Sequence, residues 1–191
     1  MADLRELTER LRRLGTRRPS PEARTEVLAG LSSKWEGVQV VATGVLGRWG
    51  DRESVERLRE FLSECFGREA GWGIRKVIVR ALRPAVTEAD VGWVLDLYFR
   101  LEGWLPKHEL QWLVIALPPQ AARARLVAAL RDPRWDNRHA AVKAIGNMDY
   151  PDRRELLLAL RADPDEDVRR SVQLLAERQA EPNAAPDPAR T

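Results

Sequence analysis

Nucleophilic, acid–base and metal chemistry each need particular side chains brought together, and this chain offers few of them. Its one cysteine, Cys65, has no second cysteine for a disulfide or a thiolate zinc cluster. Ser32, Ser33, Ser54, Ser63 and Ser171 have no histidine near them in sequence, so no Ser-His-acid triad can be read. No P-loop, dinucleotide fingerprint, nucleophile elbow or HExxH pattern occurs. No catalytic residue, metal site or cofactor is therefore expected. What remains is recognition chemistry. The chain has seven tryptophans, and of its 32 basic residues only Lys34, Lys76, Lys107 and Lys143 are lysines. The other 28 are arginines, which pair with carboxylate or phosphate and stack on aromatic rings.

Four of the tryptophans mark a repeat. They open the segments Trp35-Glu-Gly-Val-Gln39, Trp72-Gly-Ile-Arg75, Trp104-Leu-Pro-Lys107 and Trp135-Asp-Asn-Arg138, and Glu166-Asp-Val-Arg169 makes a fifth copy. Successive copies start 37, 32, 31 and 31 residues apart. Three residues after the basic or amide position stand Ala42, Ile78, Leu110, Ala141 and Val172; seven after it stand Leu46, Leu82, Val114, Ile145 and Ala176. Apolar residues at that spacing form one face of a helix. A break and a second amphipathic helix of about three turns follow each copy, starting near Asp51, Thr87, Pro118 and Pro151. Their predicted inner faces are Val55, Leu58, Phe61 and Leu62; Val91, Val94, Leu97 and Tyr98; and Ala121, Ala124 and Val127.

A further pair precedes Trp35, with Leu4, Leu7, Leu11 and Leu14 on one helix and Val27, Leu28 and Leu31 on the next. No sustained period-two run signals a strand. The fold class is thus an all-α solenoid of about five helix pairs plus a final helix, over residues 1–179. Residues 180–191 are rich in proline and alanine and read as a disordered tail. Regular recurrence of the tryptophans predicts that they fill the seams between repeats. The Arg75, Lys107, Arg138 and Arg169 column predicts bonds to a neighbouring repeat, with Asp132, Asp136 and Asp163 as partners.

The stretch from Leu160 to Leu175, with Asp-Pro-Asp-Glu-Asp-Val-Arg169-Arg170 at its centre, resembles a HEAT repeat of the bilin-lyase-like kind. The copy from Leu130 to Val142 and the Trp72-Gly-Ile-Arg75 copy are similar to it, while Gln39 and Lys107 depart from it at the arginine position. The resemblance implies a superhelix whose second helices line a concave side. Aligned on Val55, Val91 and Ala121, those helices carry Arg57, Trp93 and Arg123 at one off-core position. Arg59 and Arg125 lie two residues further on, and Arg153 and Arg154 extend the row. Glu56, Glu60, Glu88, Asp90 and Asp96 interleave with it. Trp112 stands where other copies carry Gly44, Arg80, Lys143 and Leu174; it is either an exposed contact residue or packed under an atypical repeat.

Arg57, Arg59, Trp93, Trp112, Arg123, Arg125, Arg153 and Arg154 are therefore the candidate binding residues. The function read from them is a non-catalytic scaffold or adaptor that grips a protein or peptide partner through the second-helix surface. An alternative is nucleic-acid binding, since the architecture is similar to that of the HEAT-like alkylpurine DNA glycosylases, although no aspartate maps onto their catalytic one. A second alternative is chromophore handling, implied by the bilin-lyase resemblance alone. Net charge is only +3 and no long segment departs from neutrality by more than two charges, so no concentrated basic patch is encoded. The N-terminus lacks the pattern of a signal peptide and no apolar run is long enough for a membrane span, so a cytoplasmic monomer is expected.

Overall fold

The computed structural model describes residues 2–67 and 71–180. Eleven α-helices follow one another among these residues: α1 (Ala2–Leu14), α2 (Pro21–Leu31), α3 (Glu36–Trp49), α4 (Arg52–Gly67), α5 (Trp72–Leu82), α6 (Val91–Arg100), α7 (Trp104–Val114), α8 (Pro119–Ala129), α9 (Trp135–Asn147), α10 (Arg153–Leu158) and α11 (Glu166–Ala180). In chain order they make five pairs and a final helix, and no strand occurs among the described residues. Apart from Ala180, which ends α11, the Pro/Ala-rich tail read over 180–191 lies outside the described residues.

Short polar side chains set the helix starts. Ser20 Oγ accepts from the Ala23 amide at 3.2 Å, and Pro21 supplies the first helical residue of α2. Asp51 Oδ1 accepts from the Ser54 amide at 2.9 Å at the start of α4. Thr87 does act as a cap, but for a single 3-10 turn: its amide and hydroxyl both donate to Asp90 Oδ2, and α6 proper begins at Val91. The predicted helix near Pro151 is a six-residue α10 rather than three full turns.

The first helices stack one on the next, α3 on α5, α5 on α7, α7 on α9 and α9 on α11. The apolar positions read from the repeat meet there: Ala42, Leu46, Ile78, Leu82, Leu110, Val114, Ala141, Ile145 and Val172 are all buried. The approach of α3 to α5 is so close at Gly47 that a Cβ there would stand 2.8 Å from the Ala81 Cβ. The second helices bury Leu58, Phe61 and Leu62 on α4, and Val91, Val94, Leu97 and Tyr98 on α6, as the pattern predicts. On α8 the buried stripe is Ala122, Leu126 and Ala129, and Ala124 is exposed. An alanine-rich helix has too little hydrophobic contrast to fix its own register, and Leu126, the one large apolar side chain well placed to anchor it, decides the matter.

Candidate functional site

The second-helix arginines act mainly as clips between repeats. Arg24 of α2 reaches Asp51 at 3.0 Å and donates to Ser54 Oγ at 3.1 Å. Arg59 of α4 pairs with the buried Asp90 and lies 5.7 Å from the centre of the Trp93 ring, which is itself packed against the core. Arg123 of α8 pairs with Asp152 at the start of α10. Arg125 pairs with Asp96 of α6 and donates to the Gly92 carbonyl at 3.1 Å. Arg57 is held within α4 by Glu60 and Glu64 at 2.9 and 3.1 Å. Arg153 donates to the Met148 carbonyl at 3.1 Å, and Arg154 is exposed. Of the eight candidate residues, the structure thus joins Arg59 to Trp93 and leaves Arg57, Arg123 and Arg125 on carboxylates of their own chain. Of the acidic residues interleaved with the row, Glu60, Asp90 and Asp96 are partners that hold it, while Glu56 pairs with Arg52.

The arginine column of the first helices is likewise structural. Arg138 forms a two-pronged pair with the buried Asp163, at 2.8 and 2.9 Å, and donates to the Asp132 and Pro133 carbonyls. Arg169 repeats the carbonyl contacts one copy on, to Asp163 and Pro164. Gln39 substitutes with a single bond to the Ser33 carbonyl at 2.8 Å. Arg75 pairs with Glu109 of α7, one bond measuring 3.0 Å. At Lys107 the side chain is fully buried, and its Nζ lies 3.0 Å from Asp136 Oδ2. Asp136 also accepts from the Gly103 amide at 2.9 Å and from Arg134 at 2.7 Å. Burial works against its charged form, but Arg134 and Lys107 outweigh burial and hold Asp136 below the usual carboxylate range. Burial pushes the Lys107 ammonium down despite Asp136.

The tryptophans do not fill the seams as a set. Trp104 is partly buried and packs on His139 at 4.3 Å between ring centres, but Trp35 and Trp72 are 51% and 58% exposed and Trp135 is also exposed. Trp104 is covered because His139 of α9 comes against its ring, whereas the Trp35 and Trp72 rings lie beside Lys34 and Lys76 of their own copies. Trp112, on the outer face of α7, is 54% exposed. It forms one wall of a groove of about 380 Å³ between α5 and α7, with Trp72 on the opposite side. Lys76, Arg80 and Arg83 line that groove, and among the described residues none of the three has a carboxylate partner. Lys76 Nζ stands 4.9 Å from the centre of the Trp72 ring, and Arg83 Cζ 5.6 Å from that of Trp112. The groove's one carboxylate among the described residues, Glu109, is buried and engaged by Arg75. On the far side of Trp112 a second groove of about 250 Å³ reaches Trp104, Ile115, Asn147 and Leu175.

Sequence reasoning finds Trp112 but not Lys76, Arg80 and Arg83. Their spacing of four and three residues, on the side of α5 away from Ile78 and Leu82, is the signal that marks one outward stripe. His108 lines both grooves, while His139 is buried with its Nε2 2.7 Å from Ser171 Oγ. Burial first, and Lys143 second, hold His139 below the ordinary histidine pKa. No group of three or more histidine, cysteine or acidic side chains among the described residues could hold a metal ion. None of the helices is long and apolar enough to cross a membrane.

Helix pairs stacked in register, with buried basic residues bonding back to the preceding turn, define an α-solenoid. Residues 108–176, from α7 into α11, match the family model described as HEAT repeats. Among solved structures, a designed armadillo repeat protein in complex with the peptide (KR)4 is similar at 16% identity, covering 92% of this chain and 92% of that one, with a TM-score of 0.45. A second designed armadillo repeat protein is similar at 16% identity, covering 91% and 93%, with a TM-score of 0.42. No curated protein sequence matches the chain.

Proposed function

We propose that the protein is a non-catalytic repeat scaffold that binds a protein or peptide partner, and that the partner is held on the first-helix row. One observation carries this reading: Trp72 and Trp112 stand exposed across a groove whose cations have no carboxylate partner among the described residues. Large apolar side chains clustered in the open mark recognition surfaces, and tryptophan and arginine are the residue types that anchor them. The second-helix row fits the part less well, because Arg59, Arg123 and Arg125 are already paired across repeats. A partner seated there would have to break those pairs before gaining its own.

The same pairs weigh against nucleic-acid binding. A duplex binder distributes contacts over many phosphates, and Arg57, Arg59, Arg123 and Arg125 of that row are already paired within the chain.

Site-specific photocrosslinking tests the proposal. A benzophenone side chain placed at Trp112 in the full chain is expected to give discrete partner adducts in the source cell, and one placed at Arg125 is expected to give none. Adducts confined to position 125 would return the site to the second-helix row. Absence of adducts at both positions would sink the scaffold reading.

A further inference from the structure

We infer that the groove between α5 and α7 takes a short acidic peptide segment in extended form, its apolar side chain set against Trp112. The inference rests on the scaffold reading above and names the chemistry of the partner. Three cations line one wall and, among the described residues, the sole carboxylate is spent on Arg75, so the described lining sets unpaired positive charge beside exposed aromatic surface. Lys76 and Arg83 already lean on the Trp72 and Trp112 rings. A carboxylate arriving on the open side of each cation completes a ring–cation–carboxylate stack without moving a side chain. Electrostatic complementarity of this kind selects the partner and its register.

The spacing fits an extended chain. Along α5, at 1.5 Å per residue, Lys76 to Arg80 rises about 6 Å and Arg80 to Arg83 about 4.5 Å. An extended peptide rises about 3.3 Å per residue, and its same-side residues recur about every 6.6 Å. Acidic residues at alternate positions therefore meet Lys76 and Arg80. The intervening residue faces the other way, toward α7 and Trp112. Flexible lysine and arginine stems absorb the shorter last step to Arg83. The cations cover only about 10 Å of one helix, which is the reach of three or four extended residues. That length suits a peptide segment and falls short of the many-phosphate footprint of a nucleic acid. The groove volume of about 380 Å³ is at the lower end of ligand-sized sites, which also matches a short segment.

Selection from a displayed random dodecapeptide library on the full-length protein tests this. Follow-up anisotropy would use a labelled Glu-Asp-Leu-Asp-Glu probe, its Lys-Lys-Leu-Lys-Lys counterpart and a dT12 oligonucleotide. The expected result is enrichment of peptides with Asp or Glu flanking one apolar residue. The acidic probe should bind at least tenfold tighter than the basic one. Its affinity should fall at least tenfold in Arg80→Glu/Arg83→Glu and in Trp112→Ala, and stay within twofold in Arg123→Glu. Circular dichroism melts identify any variant that fails to fold, and Arg80→Gln/Arg83→Gln then replaces the reversal. Selected peptides that need Trp112 but carry no acidic residue would overturn the acidic assignment and leave the scaffold reading standing. Tighter binding of dT12 than of the acidic probe, lost in the same variants, would overturn it in favour of nucleic acid. Selection of no peptide at all would overturn both.

Discussion

Asp136→Asn is the substitution whose cost the structure defines most sharply. The carboxylate is 6% exposed, lies between Lys107 and Arg134, and accepts the Gly103 amide as well. Asparagine keeps the shape and removes the charge. Two unit charges 3.0 Å apart attract by about 5 kcal/mol at an effective dielectric near 20, much of it spent on holding the Lys107 ammonium out of water. Losing the carboxylate strands that ammonium beside Arg134, and breaking a buried pair from one side costs about 3–5 kcal/mol. In a chain of this length about 1 kcal/mol corresponds to roughly 2–4 °C, so the melting temperature should drop by about 10 °C. Lys107→Met should cost less, because Arg134 and the Gly103 amide still satisfy Asp136. The double variant should recover much of the loss, since an apolar side chain of similar volume can replace a buried pair almost neutrally.

The pH dependence has a defined sign. Burial already lowers the Lys107 pKa in the fold, and without Asp136 it falls further. The unfolded chain then binds the extra proton, so the deficit of Asp136→Asn should shrink as pH rises from 7 towards 10. Urea denaturation of the four proteins at both pH values checks the whole argument. A deficit below about 1 kcal/mol, or strictly additive single variants, would refute it.

Further predictions follow the same geometry. Because the folded pKa of His139 is depressed, stability should fall as pH drops below about 6.5, by up to about 1.4 kcal/mol per pH unit, and His139→Gln should flatten that slope in urea midpoints between pH 7 and 5. Gly47→Ala should cost about 1–3 kcal/mol by forcing α3 off Ala81, which thermal melts would register and Ala81→Gly should partly relieve. Asp51→Ala removes the α4 cap and one of the two carboxylates that Arg24 pairs with, so a loss of about 1–2 kcal/mol at neutral pH is expected. Arg24 holds the Asp51 carboxyl below its ordinary pKa of 3.8, so that contribution should vanish in acid.

The architecture was legible because each repeat carries its own markers. The apolar stripes, the prolines and the Asp51 and Thr87 caps are local signals, and they place the helix pairs to within a few residues. The α8 register was not legible, since alanines on every side of a helix leave its orientation to tertiary packing. The candidate site was legible only at Trp112. Outward position was read correctly for several arginines, but whether an outward arginine is available depends on the neighbouring repeat. The carboxylates that occupy Arg123 and Arg125 lie 29 residues away in sequence. Lys76, Arg80 and Arg83 look no different from those arginines until the helices are stacked. Only then does their lack of a carboxylate partner among the described residues emerge.

The clips Arg24–Asp51, Arg59–Asp90 and Arg123–Asp152 have a mechanical consequence. They fasten the second-helix edge of the stack with partly exposed charges, while the first-helix edge combines interlocked aliphatic side chains with the buried pairs Arg75–Glu109, Lys107–Asp136 and Arg138–Asp163. Dissolved salt screens the partly exposed joints and reaches the buried ones far less. The second-helix edge is therefore the one whose joints weaken as ionic strength rises, while the joints along α3, α5, α7, α9 and α11 are sheltered by burial. Both grooves lie on that first-helix edge, between α5 and α7 and between α7 and α9, away from the joints that salt weakens.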